Sequence, residues 1–177
     1  MSRFLGLEKR FKRDPLLAEK YKETVNQYIE KGYATKLTDD TASQTSDITN
    51  YIPHHAVTNP NKPGKIRVVF DAAAKHKGTL LNDKLLKGPD LLNSLIGLLI
   101  RFRKGKYAVI ADIEQMFHQI FVLEKDRDAL RFLWRDTPSG KIDDYIMNVH
   151  LFGKIDSPCC ANWSLKKTAL DQKDIYP

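Results

Sequence analysis

An apolar run, Ala108-Val109-Ile110-Ala111, gives way to a carboxylate, Asp112, and an aromatic ring, Phe117, follows five positions later. A carboxylate at the end of a strand can face a site while the strand holds it rigidly. The same placement suits a turn or cap residue, and Phe117 by itself reads equally as a core aromatic. Two other groups have chemistry to offer. Lys62, Lys65 and Arg67 stand close together upstream; a guanidinium binds phosphate oxygens bidentately, so Arg67 should matter more than a neighbouring lysine. Downstream, Gly153 precedes a Ser157-Pro158 pair, in which glycine permits close backbone approach and Ser-Pro sets a helix start.

The elements that must position these residues can be read from periodicity and punctuation. Asp14 as N-cap, Pro15 at the first helical position, apolar residues at 17, 21, 25, 28 and 29, and Gly32 as a stop define an amphipathic helix. The polar stretch 37–50 has no periodicity and reads as a mobile surface loop. Strand-like runs at 54–58 and 65–70 flank Asn59-Pro60-Asn61-Lys62-Pro63-Gly64, which makes a hairpin. Pro89, apolar residues from 91 to 102 and the cations Arg101, Arg103 and Lys104 ahead of Gly105 predict a second helix. Residues 106–112 have a buried-strand pattern, and 118–123, 130–135 and 144–152 supply further extended runs, the last two joined by a turn at 136–141. Ser157 as N-cap and Pro158 at the first helical position open a final helix. Helix, hairpin, helix, several strands and helix make the fold class α+β.

With 177 residues and 42% hydrophobic content the chain is long enough for one core. No apolar run approaches the roughly 18–20 residues that span a bilayer, and the charged N-terminus lacks the apolar region of a secretory leader, so an intracellular, non-secreted and membrane-free protein is expected. The two cysteines, Cys159 and Cys160, are adjacent and poorly placed to bridge each other. Near a helix start their thiols could ionise more readily, but small core residues fit as well. His54 and His55 on one strand would point to opposite faces, and no partner stands at familiar zinc spacing. The net charge of +7 is concentrated in the middle: residues 62–106 carry eleven Lys/Arg against three Asp/Glu, whereas the flanking segments are close to balanced. Such a block suits a polyanion, or simply a solvated face.

In order along the chain, these motifs resemble those of reverse transcriptases. Lys65-Ile66-Arg67-Val68-Val69-Phe70-Asp71, followed by Leu81-Asn82, resembles the fingers hairpin. Ala111-Asp112-Ile113-Glu114-Gln115-Met116-Phe117 resembles motif A, and Gly153 with Ser157-Pro158 resembles motif B. The flanks, among them "YIPHHAV", "RVVFDAAAK", "LLKGPDLL", "ADIEQMFHQI" and "SPCCAN", are similar over essentially the whole chain to the polymerase region of BEL/Pao LTR retrotransposons. The resemblance implies a fingers-like region at 1–106 with a basic hairpin and a partial palm at 107–177, built as an antiparallel sheet with packed helices. It further implies that Asp112 is catalytic and ligates Mg2+, that Lys65 and Arg67 meet the triphosphate, and that Asp71 orients their segment. Phe117 would exclude a ribose 2′-hydroxyl, Gly153 would line the nucleotide pocket, and Ser157 and Pro158 would start the palm helix. Template-primer RNA or DNA and a deoxynucleoside triphosphate are the implied partners. Lys154 and Ile155 stand where the family usually has smaller residues.

The family's second acidic motif, Y-x-D-D, is absent from these 177 residues; Asp143-Asp144 precede motif B and read as part of a solvated hairpin. Two metal ions must be held while a primer hydroxyl attacks. One missing carboxylate about 4 Å from an ion forfeits on the order of 4 kcal/mol at an effective dielectric of 20, roughly a thousandfold in rate. This stretch by itself is therefore expected to be catalytically incompetent, with weak Mg2+ binding at most. A non-enzymatic nucleic-acid-binding remnant of a retroelement is the alternative expectation, and an unstable fragment with exposed apolar surface is a third.

Overall fold

The computed structural model describes residues 1–58 and 65–175. The expected hairpin turn 59–64, with Lys62, lies outside the described residues, as do 176 and 177.

Two helices open the chain. α1 (Ser2–Arg13) buries Phe4 and Leu7, and α2 (Pro15–Glu30) buries Leu17, Tyr21, Val25 and Tyr28. Asp14 caps α2 as the sequence predicts, its carboxylate accepting from the Leu17 amide at 3.0 Å, with Pro15 supplying the pre-set backbone of the first turn. Gly32 leaves the helix at φ +71°, and the chain turns into β1 (Ala34–Lys36).

The expected strands at 130–135 and 144–152 form as β4 (Arg131–Trp134) and β5 (Asp143–Met147), and β5 lies between β1 and β4 in one antiparallel sheet. β2 (His54–Thr58) and β3 (Ile66–Phe70) form the expected hairpin, His54 opposite Phe70 and Val57 opposite Arg67. The mixed helix and antiparallel-sheet architecture is the expected α+β class. The core sits where α2 covers both sheets: Tyr21, Phe132, Tyr145, Met147 and Val149 are all essentially inaccessible. His54 is at its centre, with Phe4, Tyr21, Phe70, Phe132 and Trp134 around its ring at centroid distances of 5.4–6.2 Å. Its Nε2 donates to the Leu133 carbonyl at 2.8 Å, so its Nδ1 accepts the Tyr21 hydroxyl at 2.5 Å. One imidazole thus joins α2, β2 and β4, and His55 points outward, as strand alternation requires.

The structure differs from the sequence expectations in several places. The loop 37–50 contains a short helix, α3 (Asp39–Ser43), capped by Thr38, and is anchored from β4. The second long helix is limited to α4 (Leu95–Phe102), and none of its residues is buried. The 118–123 run is not a strand: Met116–Gln119 is a 3-10 turn, and only Phe121 bridges, to Val149. The final helix, α5 (Ser157–Asp171), begins one residue early, with Asp156 rather than Ser157 at the N-cap. Asp143 and Asp144 lie in the expected hairpin, at the start of β5, but are half-buried instead of solvated, and Lys36 pairs with Asp143 across the sheet at 2.6 Å. Among the described residues no helix is long and apolar enough to cross a membrane.

Candidate functional site

The segment around Asp112 departs furthest from expectation. Residues 107–113 form no strand and are exposed, with Tyr107, Val109 and Ile110 each more than 80% accessible. A buried strand needs ladder partners and a covering layer, and among the described residues nothing pairs with this segment. Asp112 is exposed and, among the described residues, has no side-chain hydrogen bond or ion pair. It also belongs to no cluster of three metal-ligating side chains among them. The carboxylates present in this stretch therefore do not fit a site for two magnesium ions.

Phe117 is better held. Gln115 adopts a left-handed backbone at φ +52° and the chain winds into the 3-10 turn, which places Phe117 edge-on against Phe152 with ring centroids 4.5 Å apart. The next residue, His118, is 5% exposed and sits among Tyr28, Tyr33 and Phe152. Its Nδ1 is buried without a hydrogen-bond partner among the described residues. Burial, aided by the Lys31 charge, lowers its pKa to about 4.

Phe152 leads into the loop that precedes Ser157 and Pro158, where Gly153 lies against the backbone of β3. Gly153 has φ +93°, and a Cβ there would stand 3.2 Å from the Phe70 carbonyl oxygen at the end of β3. Asn82 fastens the same loop from the hairpin side: its Nδ2 donates to the Gly153 carbonyl at 2.9 Å and its Oδ1 accepts from the Ile155 amide at 3.1 Å. Gly153→Ala should destabilise the fold by about 1–3 kcal/mol, from the left-handed backbone and the crowded carbonyl together. Urea denaturation would detect it, and an unchanged midpoint would mean the loop is not held as described.

Arg67 and Lys65 are exposed, and among the described residues neither forms an ion pair. Strand alternation sets Arg67 on the opposite face of the hairpin from Val68 and Phe70, and three residues at about 3.3 Å each separate it by roughly 10 Å from the Phe70–Gly153 contact. Asp71 instead pairs with Arg3 at 3.0 Å and accepts from the Ala73 amide at 3.1 Å, so it does fix the end of the strand. A cleft of about 700 Å³ opens beside it, bordered by Arg3, Lys75, His76 and Asp144; Asp112, Arg67, Phe117 and Gly153 do not line it.

Ser157 is fully buried and its hydroxyl donates to the Leu151 carbonyl at 2.8 Å, which locks the turn into α5 instead of capping the helix. Pro158 follows it in the first turn. Around this turn lies a group that the sequence reading did not single out. His150, Asp156 and Cys160 place one donor atom each within 4.8 Å of one another. The pairing of Asp156 with Cys160 one helical turn on is a signal that spacing alone could have given, but His150 joins them through the loop. Burial and the Lys154 ammonium lower the His150 pKa against the pull of Asp156. Burial, with the neighbouring Asp156 and Cys159, raises the Cys160 thiol, the reverse of an activated cysteine.

No protein-family model matches the chain, and no curated protein matches it.

Proposed function

We propose that this chain is the fingers and part of the palm of an RNA-directed DNA polymerase of the BEL/Pao retrotransposon type, divided near residue 106. The observation that carries the reading is the meeting of three motifs distant in sequence. The end of the basic hairpin at Phe70 abuts Gly153, Asn82 holds the Gly153 loop, and Phe117 packs on Phe152 beside it. Phe70 and His118 tie this meeting to the core, and the reading rests on the motif residues Gly153 and Phe117 lying at its edge.

In this reading Arg67 and Lys65 present cations to phosphate oxygens from the outer face of the hairpin, with Arg67 supplying the bidentate geometry. Phe117 offers a flat apolar wall beside the bare backbone of Gly153, a surface against which a sugar can pack. Asp112 supplies one carboxylate. Its exposure and that of Tyr107, Val109 and Ile110 accord with a segment that acquires its strand partners, and with them further carboxylates, from other chain.

This stretch alone should not catalyse. In a primer-extension assay with Mg2+ and all four deoxynucleoside triphosphates, the purified chain should extend nothing above background. Incorporation that disappears in Asp112→Asn would overturn the claim of incompetence while supporting the assignment of Asp112.

The second reading, a non-enzymatic nucleic-acid-binding protein, is favoured by the eleven Lys/Arg against three Asp/Glu in residues 62–106. It shares the phosphate contacts of the first reading but gives Asp112 and Phe117 no role.

A further inference from the structure

We infer that His150, Asp156 and Cys160 form a binding site for a transition-metal dication of the zinc class. The donors are an imidazole, a carboxylate and a thiol, the mixed N, O and S set that Zn2+ accepts and that Mg2+, which takes oxygen ligands, does not. The ligand atoms lie within 4.8 Å of one another. Bonds of about 2.0–2.3 Å to a tetrahedral ion put donors roughly 3–4 Å apart, so the side chains must draw in by about 1 Å, and coordination through His150 Nδ1 would replace its 3.3 Å contact with the Ser157 hydroxyl.

A second, independent feature points the same way. Asp156 Oδ1 is excluded from solvent and, among the described residues, has no hydrogen-bond partner. A buried carboxylate oxygen without a partner is costly, and such groups mark missing waters or ions. Lys154 does not fill that role: its ammonium lies 3.3 Å from Oδ2, the other oxygen, and the His150 ring contact of 3.9 Å is also to Oδ2. Oδ1 is thus left to a ligand. Cys159 does not compete, because its Sγ is directed at Gly88, where a Cβ would meet it at 2.5 Å.

Three protein donors leave one position of a tetrahedral ion open to water or an exogenous ligand. The ion would join the segment after β5 to the first turn of α5 and so clamp the 151–156 loop that carries Gly153. On binding, the metal–sulfur bond forms at Cys160 as the thiol proton is released to solvent, and no electron is transferred. The site stands apart from Asp112 and does not depend on the polymerase reading.

The test is a titration of Co2+ into the reduced chain, followed by the thiolate-to-cobalt charge-transfer absorption and by displacement with Zn2+. One metal per chain is expected, together with a rise in melting temperature on zinc addition and weaker binding as the pH falls. Cys160→Ser, which preserves size, should abolish the band, and Asp156→Asn should weaken binding beyond the ~10–100-fold that loss of an outer-sphere partner costs. Cys159→Ala should keep the band, with circular dichroism verifying that each variant is folded. Absence of the band in the folded parent chain, its persistence in Cys160→Ser, or its loss in Cys159→Ala would each overturn the site.

Discussion

Lowering the pH from 7 to 4 should cost the protein on the order of 6 kcal/mol, more than half the stability of a typical domain, through two groups other than its carboxylates. The cause is two buried imidazoles. Burial is the main reason that His54 has its pKa lowered from 6.5 to about 4; its bond to the Leu133 carbonyl opposes this and His55 adds slightly to it. His118 is lowered to about 4 by burial and Lys31. Both therefore stay neutral in the native state while the unfolded chain takes up protons. Because the folded values are depressed, their contribution to stability is fully present above pH 6.5, falls as the pH drops below it, and is lost as the pH passes through about 4. Each imidazole contributes on the order of 3 kcal/mol at about 1.36 kcal/mol per pKa unit. His150 is lowered as well and adds in the same direction. Asp128 acts only at lower pH: burial raises it, but hydrogen bonds from Thr49, Ser46 and Arg131 prevail and bring it to about 2. Urea denaturation at intervals between pH 8 and pH 4 should show this decline, and His118→Phe, whose ring suits the Tyr28, Tyr33 and Phe152 surroundings, should remove about half of it. A stability that is flat between pH 7 and pH 5 would show that these histidines are not buried as described.

Arg131→Met should destabilise the fold by about 3–5 kcal/mol, the range for removing one partner of a buried ion pair. The guanidinium is 4% exposed and serves four acceptors. Its Nε donates to Asp128 at 2.6 Å, and its terminal nitrogens reach the carbonyls of Ala42 at 2.9 Å, Gln44 at 2.6 Å and Thr41 at 3.5 Å. Asp128 in turn accepts the Ser46 and Thr49 hydroxyls at 2.7 and 2.6 Å. Methionine fills much of the volume but leaves Asp128 Oδ1 and the carbonyls at the end of α3 without the donors Arg131 supplied, and the carboxylate without its counter-charge. Proteolysis should then cut within 37–50, a segment that should resist it in the parent chain. If Arg131→Met melts with the parent and the segment stays protected, the network contributes little.

That same network explains why 37–50 looked like a mobile loop. Its sequence lacks periodicity, and the arginine that anchors it arrives from almost 90 residues away. By contrast α2, β2, β3, β4 and β5 were readable because each carries its own signal, whether the Asp14-Pro15 cap and Gly32 stop or the alternation around Tyr145 and Met147. α1 carries Phe4, Leu7 and Phe11 at helical spacing, but among so many charges the pattern is weak. The 106–112 segment failed for the opposite reason: its apolar run is a strong strand signal, yet strand formation needs a partner that the sequence of the segment itself does not supply. The helical run from 91 contracted to Leu95–Phe102 for want of a surface to pack on.

At Gly153 the positive φ and the approach to Phe70 call for a glycine, in keeping with the close backbone approach expected there. Spacing could not reveal that Asn82 fastens that loop, or that Ser157 would be spent on the Leu151 carbonyl in place of the cap, because both depend on contacts made only when distant segments meet. The His150, Asp156 and Cys160 grouping was hidden for the same reason.

The central claim, that the basic hairpin serves a nucleic-acid or nucleotide phosphate site, is tested most directly by fluorescence anisotropy of a labelled RNA–DNA hybrid with a recessed end, titrated at several salt concentrations. The parent chain should bind, with log affinity falling linearly with log salt, and the Lys65→Ala/Arg67→Ala variant should bind more weakly with the slope reduced by about two. Absence of binding at low salt, or a variant with the affinity and slope of the parent chain, would contradict it.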